Sequence, residues 1–218
     1  NIWMGYSSGH AADTADLTVN IGTYSGYYNK IDYNTGVGAY SLTYNSLNST
    51  NNSQGAENTG LGYGSGYGIN TGSKNTAVGY QSMNGGPYYV NGSRNVGVGD
   101  STFFTFSNGN DNVAIGFGAL SNAVSSSQNV AVGSRALINS SSTYPNTAIG
   151  YSSMDSSVTG TANTALGSFS LTTMTAGVNN TAIGNAAMYQ AVTGDDNTAV
   201  GNDALRLDSG SANTAVGS

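Results

Sequence analysis

The apolar residues of this chain recur in short bursts separated by polar, hydroxyl- and amide-rich stretches, and every burst keeps one order. A five-residue unit runs Asn, Thr or Val, Ala or Gly, then Val, Ile or Leu, then Gly. It starts at Asn34, Asn58, Asn75, Asn95, Asn112, Asn129, Asn146, Asn163, Asn180, Asn197 and Asn213. Successive units are 24, 17 and 20 residues apart, then 17 six times, then 16. Thr18-Val19-Asn20-Ile21-Gly22 reads as a degenerate earlier copy. Seven residues after the Asn stands a small residue, such as Ser82, Ala119 or Ser153. The next is large and apolar, as in Leu42, Met83, Phe103, Leu120 and Leu171, with Gly66 as the exception. Self-similarity at a fixed period of this length is the signature of a solenoid.

Each position has a physical reading. The second residue is β-branched in all eleven copies, which suits extended backbone. In a strand the second and fourth residues share a face because side chains alternate. That face is expected to lie on the coil's own core. The opposite face holds only Ala or Gly (Gly36, Ala77, Ala148), and is expected where another backbone approaches closely. The fifth-place glycines, Gly79, Gly116, Gly150 and Gly184 among them, read as positive-φ corners. The leading Asn75, Asn112, Asn146 and Asn180 suit left-handed geometry and stacked amide ladders. Each coil then reads as strand, Gly corner, short strand and polar return loop. A Gly in every pentad and the lack of any sustained 3.6-residue period argue against helix.

The fold expected is all-β: a parallel β-solenoid (β-roll) of about 11–12 coils with a 17-residue repeat. At ~4.8 Å per coil it makes a rod on the order of 50 Å long. Residues 1–33 form a divergent, Tyr-rich N-terminal segment, and 34–218 the repeat domain, with insertions at 43–57 and 84–94. Each coil supplies about three large apolar side chains, thin for a free-standing rod. The small-residue face is therefore expected to pack against identical chains with closed symmetry.

Composition narrows the function. Gly, Ser, Asn and Thr supply more than half of the 218 residues, and only 7% are charged, so the surface is neutral. Five Lys and Arg against eleven Asp and Glu leave a net charge of −6. So few scattered cations cannot neutralise a run of phosphates, which excludes nucleic acid as a partner. No apolar run approaches the ~18 residues of a spanning helix, so no membrane insertion is expected in this segment. The absence of Cys removes disulfides and thiol chemistry. The numbering opens on Asn1 and stops in mid-motif at Gly217-Ser218, as expected of a processed product or a piece of a longer protein.

The units Asn75-Thr76-Ala77-Val78-Gly79-Tyr80-Gln81-Ser82-Met83 and Asn146-Thr147-Ala148-Ile149-Gly150-Tyr151-Ser152-Ser153-Met154 resemble a known repeat class. It occurs in the YadA-like heads of trimeric autotransporter adhesins and in related tail-fibre and surface-fibre proteins of bacteriophages and bacteria. The resemblance spans roughly residues 34–218. It implies a left-handed parallel β-roll, three chains about a common axis, and an extracellular place on a bacterial surface or a virion appendage. Adhesin heads of the best-known type use a shorter coil with one more residue between Asn and Gly. The coil here fits phage-type or environmental fibres at least as well.

Candidate chemistry is sparse. There is one His, His10, and one Glu, Glu57. Cleaving a polysaccharide would need paired carboxylates about 5–10 Å apart. The close pairs, Asp13 with Asp16 and Asp195 with Asp196, sit in turn-like sequence. No enzyme activity, metal or cofactor is expected. Asn108-Gly109-Asn110-Asp111-Asn112 offers oxygen ligands, but Asp does not recur from coil to coil as a calcium-binding repeat requires.

The aromatic residues are the functional asymmetry. Twelve of fifteen Tyr precede residue 90, with the only Trp, Trp3, where the repeat is least regular. Insertions in repeat proteins map to loops on one face, often the binding face. Tyr offers a sugar an apolar ring and a polar tip. Tyr44, Tyr63, Tyr67, Tyr88 and Tyr89 are accordingly the candidate glycan-binding residues. The function expected is an extracellular homotrimeric fibre or adhesin segment that attaches to a surface glycan or receptor on a host cell through multivalent contacts. End-to-end assembly is a further mode of self-association. A passive shaft or filament subunit is the alternative. An ice-binding solenoid is a third reading, disfavoured because its Thr column is interrupted at Val96, Val113 and Val130 and expected to face inward.

Overall fold

The computed structural model describes residues 1–11, 15–45, 54–141, 145–156 and 158–218. Among them are thirteen three-residue strands in one sheet, all parallel and paired in chain order. They form about twelve turns of a parallel β-solenoid. β1 (Ile2–Met4) and β2 (Val19–Ile21) precede eleven strands, β3 to β13, made by residues two to four of each pentad from Thr35–Val37 to Thr214–Val216. The N-terminal segment thus continues the same sheet. Asn1-Ile2-Trp3-Met4-Gly5 is itself a pentad, disguised by Trp3 in the small-residue place. Thirteen strands at ~4.8 Å give a rod about 58 Å long.

The Asn column fixes the register. The Asn129 amide N–H donates to Asn112 Oδ1 (2.9 Å), and Asn146 N–H to Asn129 Oδ1 (2.9 Å). Meanwhile Asn112 Nδ2 donates to the Ser126 carbonyl (2.8 Å), Asn146 Nδ2 to Gly160 (2.9 Å) and Asn180 Nδ2 to Gly194 (2.7 Å). Asn75 does the same toward Asn58 and Gly92. Each buried amide therefore fastens its own coil to the ones before and after it. The glycine corners stack directly: Gly116 has φ +124°, and a Cβ there would stand 2.7 Å from the Gly133 carbonyl. Gly79, Gly150 and Gly184 hold the same left-handed geometry.

The structure inverts the expected faces. The middle residue of each strand points inward, and Ala77, Ala114, Ala131, Ala148 and Ala182 are fully buried. The flanking Thr/Val and Val/Ile/Leu columns face outward, with Leu61, Ile115, Ile149 and Leu166 exposed. The close approach that demands small residues is therefore made by the turns that follow the glycine corners of the same coil and the one before it. A Cβ on Gly97 would lie 2.8 Å from both Ser82 Oγ and Thr102 Oγ1.

Among the described residues no second strand follows the corner either. The chain there runs through turns in which Leu120 (φ +50°), Leu137 (+49°), Met154 (+50°) and Leu171 (+50°) are left-handed. That geometry costs an L-residue about 1–2 kcal/mol. Burying a Leu or Met side chain contributes about 1.5–3 kcal/mol, enough to offset it. These side chains, fully buried, form the core against the Ala column.

Core volume is shared between the two inward positions. In the first two coils the strand supplies Trp3, which is still 43% exposed, and the buried Asn20, and the left-handed position becomes Gly9 and Gly26. A Cβ on Gly9 would meet the Trp3 ring at 2.7 Å. Where both positions are small, at Gly60 and Gly66, Leu42 of the preceding coil fills the space, joined at Gly66 by Ile69, fully buried and bridged to Val90.

Two substitutions test this frame by urea unfolding followed by circular dichroism. Asn112→Ala strands the Ser126 carbonyl and the Asn129 N–H, and is expected to cost about 3 kcal/mol. Gly116→Ala adds backbone strain to a steric clash, and should cost about 3 kcal/mol or more. A midpoint unchanged in either variant would refute the role given to that column.

Candidate functional site

The segment after each glycine corner carries the aromatic residues, and stacking the coils assembles them into two columns. Tyr6, Tyr24, Tyr40, Tyr63 and Tyr80 form the first, with ring centroids 5.5, 5.4, 5.7 and 5.4 Å apart in turn. The second starts at His10, which stacks on Tyr27 at 5.0 Å, and continues through Tyr28, Tyr44 and Tyr67. Tyr24 and Tyr27 join the columns at 5.6 Å.

Ring orientation follows from sequence offset. Tyr24 and Tyr40 each stand two residues after a corner glycine and lie 21° apart; Tyr63 and Tyr80 each stand one after and lie 12° apart. Tyr28 and Tyr44, both six after, lie 12° apart. Where the offset changes between coils the rings turn edge to face: Tyr40 against Tyr63 at 66°, and Tyr44 against Tyr67 at 85°. Equal offsets superpose Cα positions and stack the rings; unequal offsets force a turn.

Both columns change offset at the same level of the rod, and a groove opens there. Its main cavity, about 370 Å³, is walled by Tyr24, Tyr27, Tyr28, Tyr40, Tyr44 and Tyr67, with Thr43. A second, about 240 Å³, continues past Tyr44 and Tyr67 to Pro87, Tyr88 and Tyr89. A third, about 300 Å³, lies between Tyr40, Tyr63, Tyr67 and Gln81. The insertion at 84–94 carries Tyr88 and Tyr89 here on the Gly85-Gly86 turn, bringing the Tyr89 ring 6.2 Å from Tyr44. Of the insertion at 43–57, residues 46–53 lie outside the described residues.

All five tyrosines expected from the sequence border these connected cavities. Tyr24, Tyr27, Tyr28 and Tyr40 join them as wall residues that the sequence reading does not single out. Their signal was positional: the degenerate unit ending at Gly22 places Tyr24 in register with Tyr40.

The other candidates are engaged in turns. Asp195 Oδ1 accepts from the Val178 N–H (2.8 Å) and Asp196 Oδ1 from Asn179 Nδ2 (3.1 Å), each fastening one coil to the next. Asp111 pairs with Arg94 at 2.6 Å, whose hydrogen bond holds its carboxyl below the usual range. Asp16 is described, while Asp13 lies outside the described residues. Among the described residues no three His, Asp or Glu side chains are grouped as metal ligands, and no helix is long and apolar enough to cross a membrane.

Comparison with protein-family models, curated proteins and solved structures returned no match.

Packing within the groove perturbs its phenols. Burial, followed by the hydrogen bond and charge of Tyr44, pushes Tyr67 up to about 12, and burial raises Tyr24 as well. The ordinary phenol titrates near ~10. A raised acid contributes its full stability below that ordinary value and loses it as pH rises through the folded one. Titration of phenolate absorbance is expected to show a last component near pH 12 that Tyr67→Phe removes. The variant should also resist alkaline unfolding better than the parent between pH ~10 and ~12. A full set of phenols titrating together near ~10 would contradict this packing.

Proposed function

We propose that the chain is a rod segment of an extracellular homotrimeric fibre, which attaches to a surface through multivalent, non-catalytic contacts. The observation that carries the reading is the outward face of the sheet. One column of that face runs Met4, Ile21, Val37, Leu61, Val78 and Val98 and on to Val216, aliphatic at every one of thirteen strands. The neighbouring column adds Ile2, Val19, Val96, Val113 and Val130 among its threonines. This ribbon is about 58 Å by ~7 Å and unbroken. Continuous apolar patches of several hundred Å² mark interaction surfaces. A flat, self-similar face is best covered by copies of itself, and parallel chains about one axis close the assembly.

The repeat's likeness to trimeric adhesin heads and phage or bacterial surface fibres supports three as the copy number. It also supports a place on a cell surface or virion appendage. Three parallel copies would present three aromatic faces, so weak sites gain avidity. In the alternative, a passive shaft, the same trimer only separates its ends. The outward Thr column favours one further reading, an ice-binding face on a monomer, although Val96, Val113 and Val130 interrupt it.

Sedimentation equilibrium distinguishes them. The fibre reading expects a mass near three times 22.0 kDa. Replacing Ile149 and Leu166, both outward and exposed, with Asp should yield folded 22.0 kDa monomers. A parent protein that is monomeric at every concentration overturns the trimer. Thermal hysteresis by that monomer would establish the ice-binding alternative.

A further inference from the structure

We propose that the tyrosine groove binds a neutral, linear polysaccharide laid along the rod axis across several coils. This deepens the attachment role proposed above and rests on it for the groove's outward presentation.

The first argument is the chemistry of the lining. Six tyrosines and Thr43 offer ring faces and hydroxyls, and no lining residue of the main cavity is charged. Burial raises both Tyr67 and Tyr24, so these two phenols hold their protons and stay uncharged. An apolar plane edged with hydroxyls complements a pyranose, which has apolar ring faces and equatorial hydroxyls. An anionic polymer finds no cation among the residues that line these cavities, and nucleic acid would need a positively charged track beside the rings.

The second argument is where ring faces are free. In a stacked pair each ring covers part of its neighbour's face. At the offset changes, Tyr40 to Tyr63 and Tyr44 to Tyr67, one ring turns edge-on and a face opens to the groove. Both turns occur at one level, where the main cavity of about 370 Å³ lies within the size range of ligand clefts. The adjoining cavity ending at Tyr88 and Tyr89 extends the track to a further coil. Aromatic sites therefore succeed one another along the axis, as a polymer of rings requires.

A peptide strand is disfavoured by the backbone. The amide N–H groups of Tyr24, Tyr28, Tyr40 and Tyr44 all donate to carbonyls of neighbouring coils, at 2.8–3.0 Å. The groove thus offers no free ladder edge for strand addition. The rings also hold one another in place, so little rotamer freedom is lost on binding.

The test is affinity electrophoresis of the full chain in native gels containing hydroxyethylcellulose, galactomannan, dextran or, as the anionic control, alginate. Retardation by at least one neutral polysaccharide and not by alginate is expected. Tyr44→Ala should weaken it about tenfold, the equivalent of about 1.4 kcal/mol. Tyr44→Phe, which keeps the ring, should retain most of it. Tyr88→Ala, at an exposed position where folding is not at stake, should weaken it less than Tyr44→Ala but measurably. No retardation by any neutral polysaccharide overturns the proposal, as does retardation that both alanine variants leave unchanged, or retardation by alginate alone. Sedimentation mass separates this from the fibre reading. The tyrosine variants should keep the parent's mass, whereas the Ile149 and Leu166 Asp variant should lose mass but still bind, more weakly through lost avidity.

Discussion

The buried asparagine amide is the interaction on which the rest of this structure depends. A parallel solenoid stacks backbone on backbone, and nothing in a three-residue strand by itself prevents a slip of register. The Asn column prevents it, because Oδ1 accepts from the next coil's amide while Nδ2 satisfies a carbonyl of the next coil's return loop. A one-residue slip would bury both groups without partners, at about 1–3 kcal/mol each. This fastening is local to one point of the coil. The path between two Asn residues can therefore lengthen from 17 to 20 or 24 residues without disturbing the strands, as it does around Asn95 and Asn58.

Fixing the Asn and Gly columns leaves the coil interior narrow. One strand residue and one left-handed turn residue share it, so that volume added at one is removed at the other: Trp3 with Gly9, Asn20 with Gly26, Ala114 with Leu120. No room remains for the two flanking columns of the strand. They lie outside as a ribbon of Thr and aliphatic side chains, and the solenoid acquires an apolar surface as a consequence of its own economy of cross-section. The self-association proposed above would cover that surface.

The period, the strands and the corner glycines were legible in the sequence because each repeats with a chemical reason, the glycine for its φ and the Asn for its amide. The direction of the faces was not. Alternation shows that Ala148 and Thr147 point to opposite sides, but not which side is inside. The usual rule that the larger aliphatic residue is buried failed because Met154 and its equivalents in the turn already occupy the core. The residues after the corner could have warned of this, since a small residue followed by a large apolar one in every coil is a core of its own. Asn1 to Gly5 escaped notice because Trp3 breaks the Ala/Gly rule, which itself follows from Gly9 yielding space.

The aromatic surface shows how a repeat that enforces sameness can still generate a site. While the offset from the corner glycine stays constant, each new coil only extends a stack of near-parallel rings, as in Tyr63 on Tyr80. A shift of one residue turns the ring and opens a face. Both columns shift between the coil of Tyr40 and Tyr44 and the coil of Tyr63 and Tyr67, across the longest step in the repeat, 24 residues. The irregular coil is thus the place where the ladder opens into a groove. The same rule applies farther along the rod, where Tyr151 stands one residue after its glycine, Phe169 two after, and the pair meets at 79°. There the adjoining hollow contains Arg206 and Asp203 beside Tyr189. One mechanism of ring turning therefore yields surfaces of different charge, set by which side chains the neighbouring coils supply.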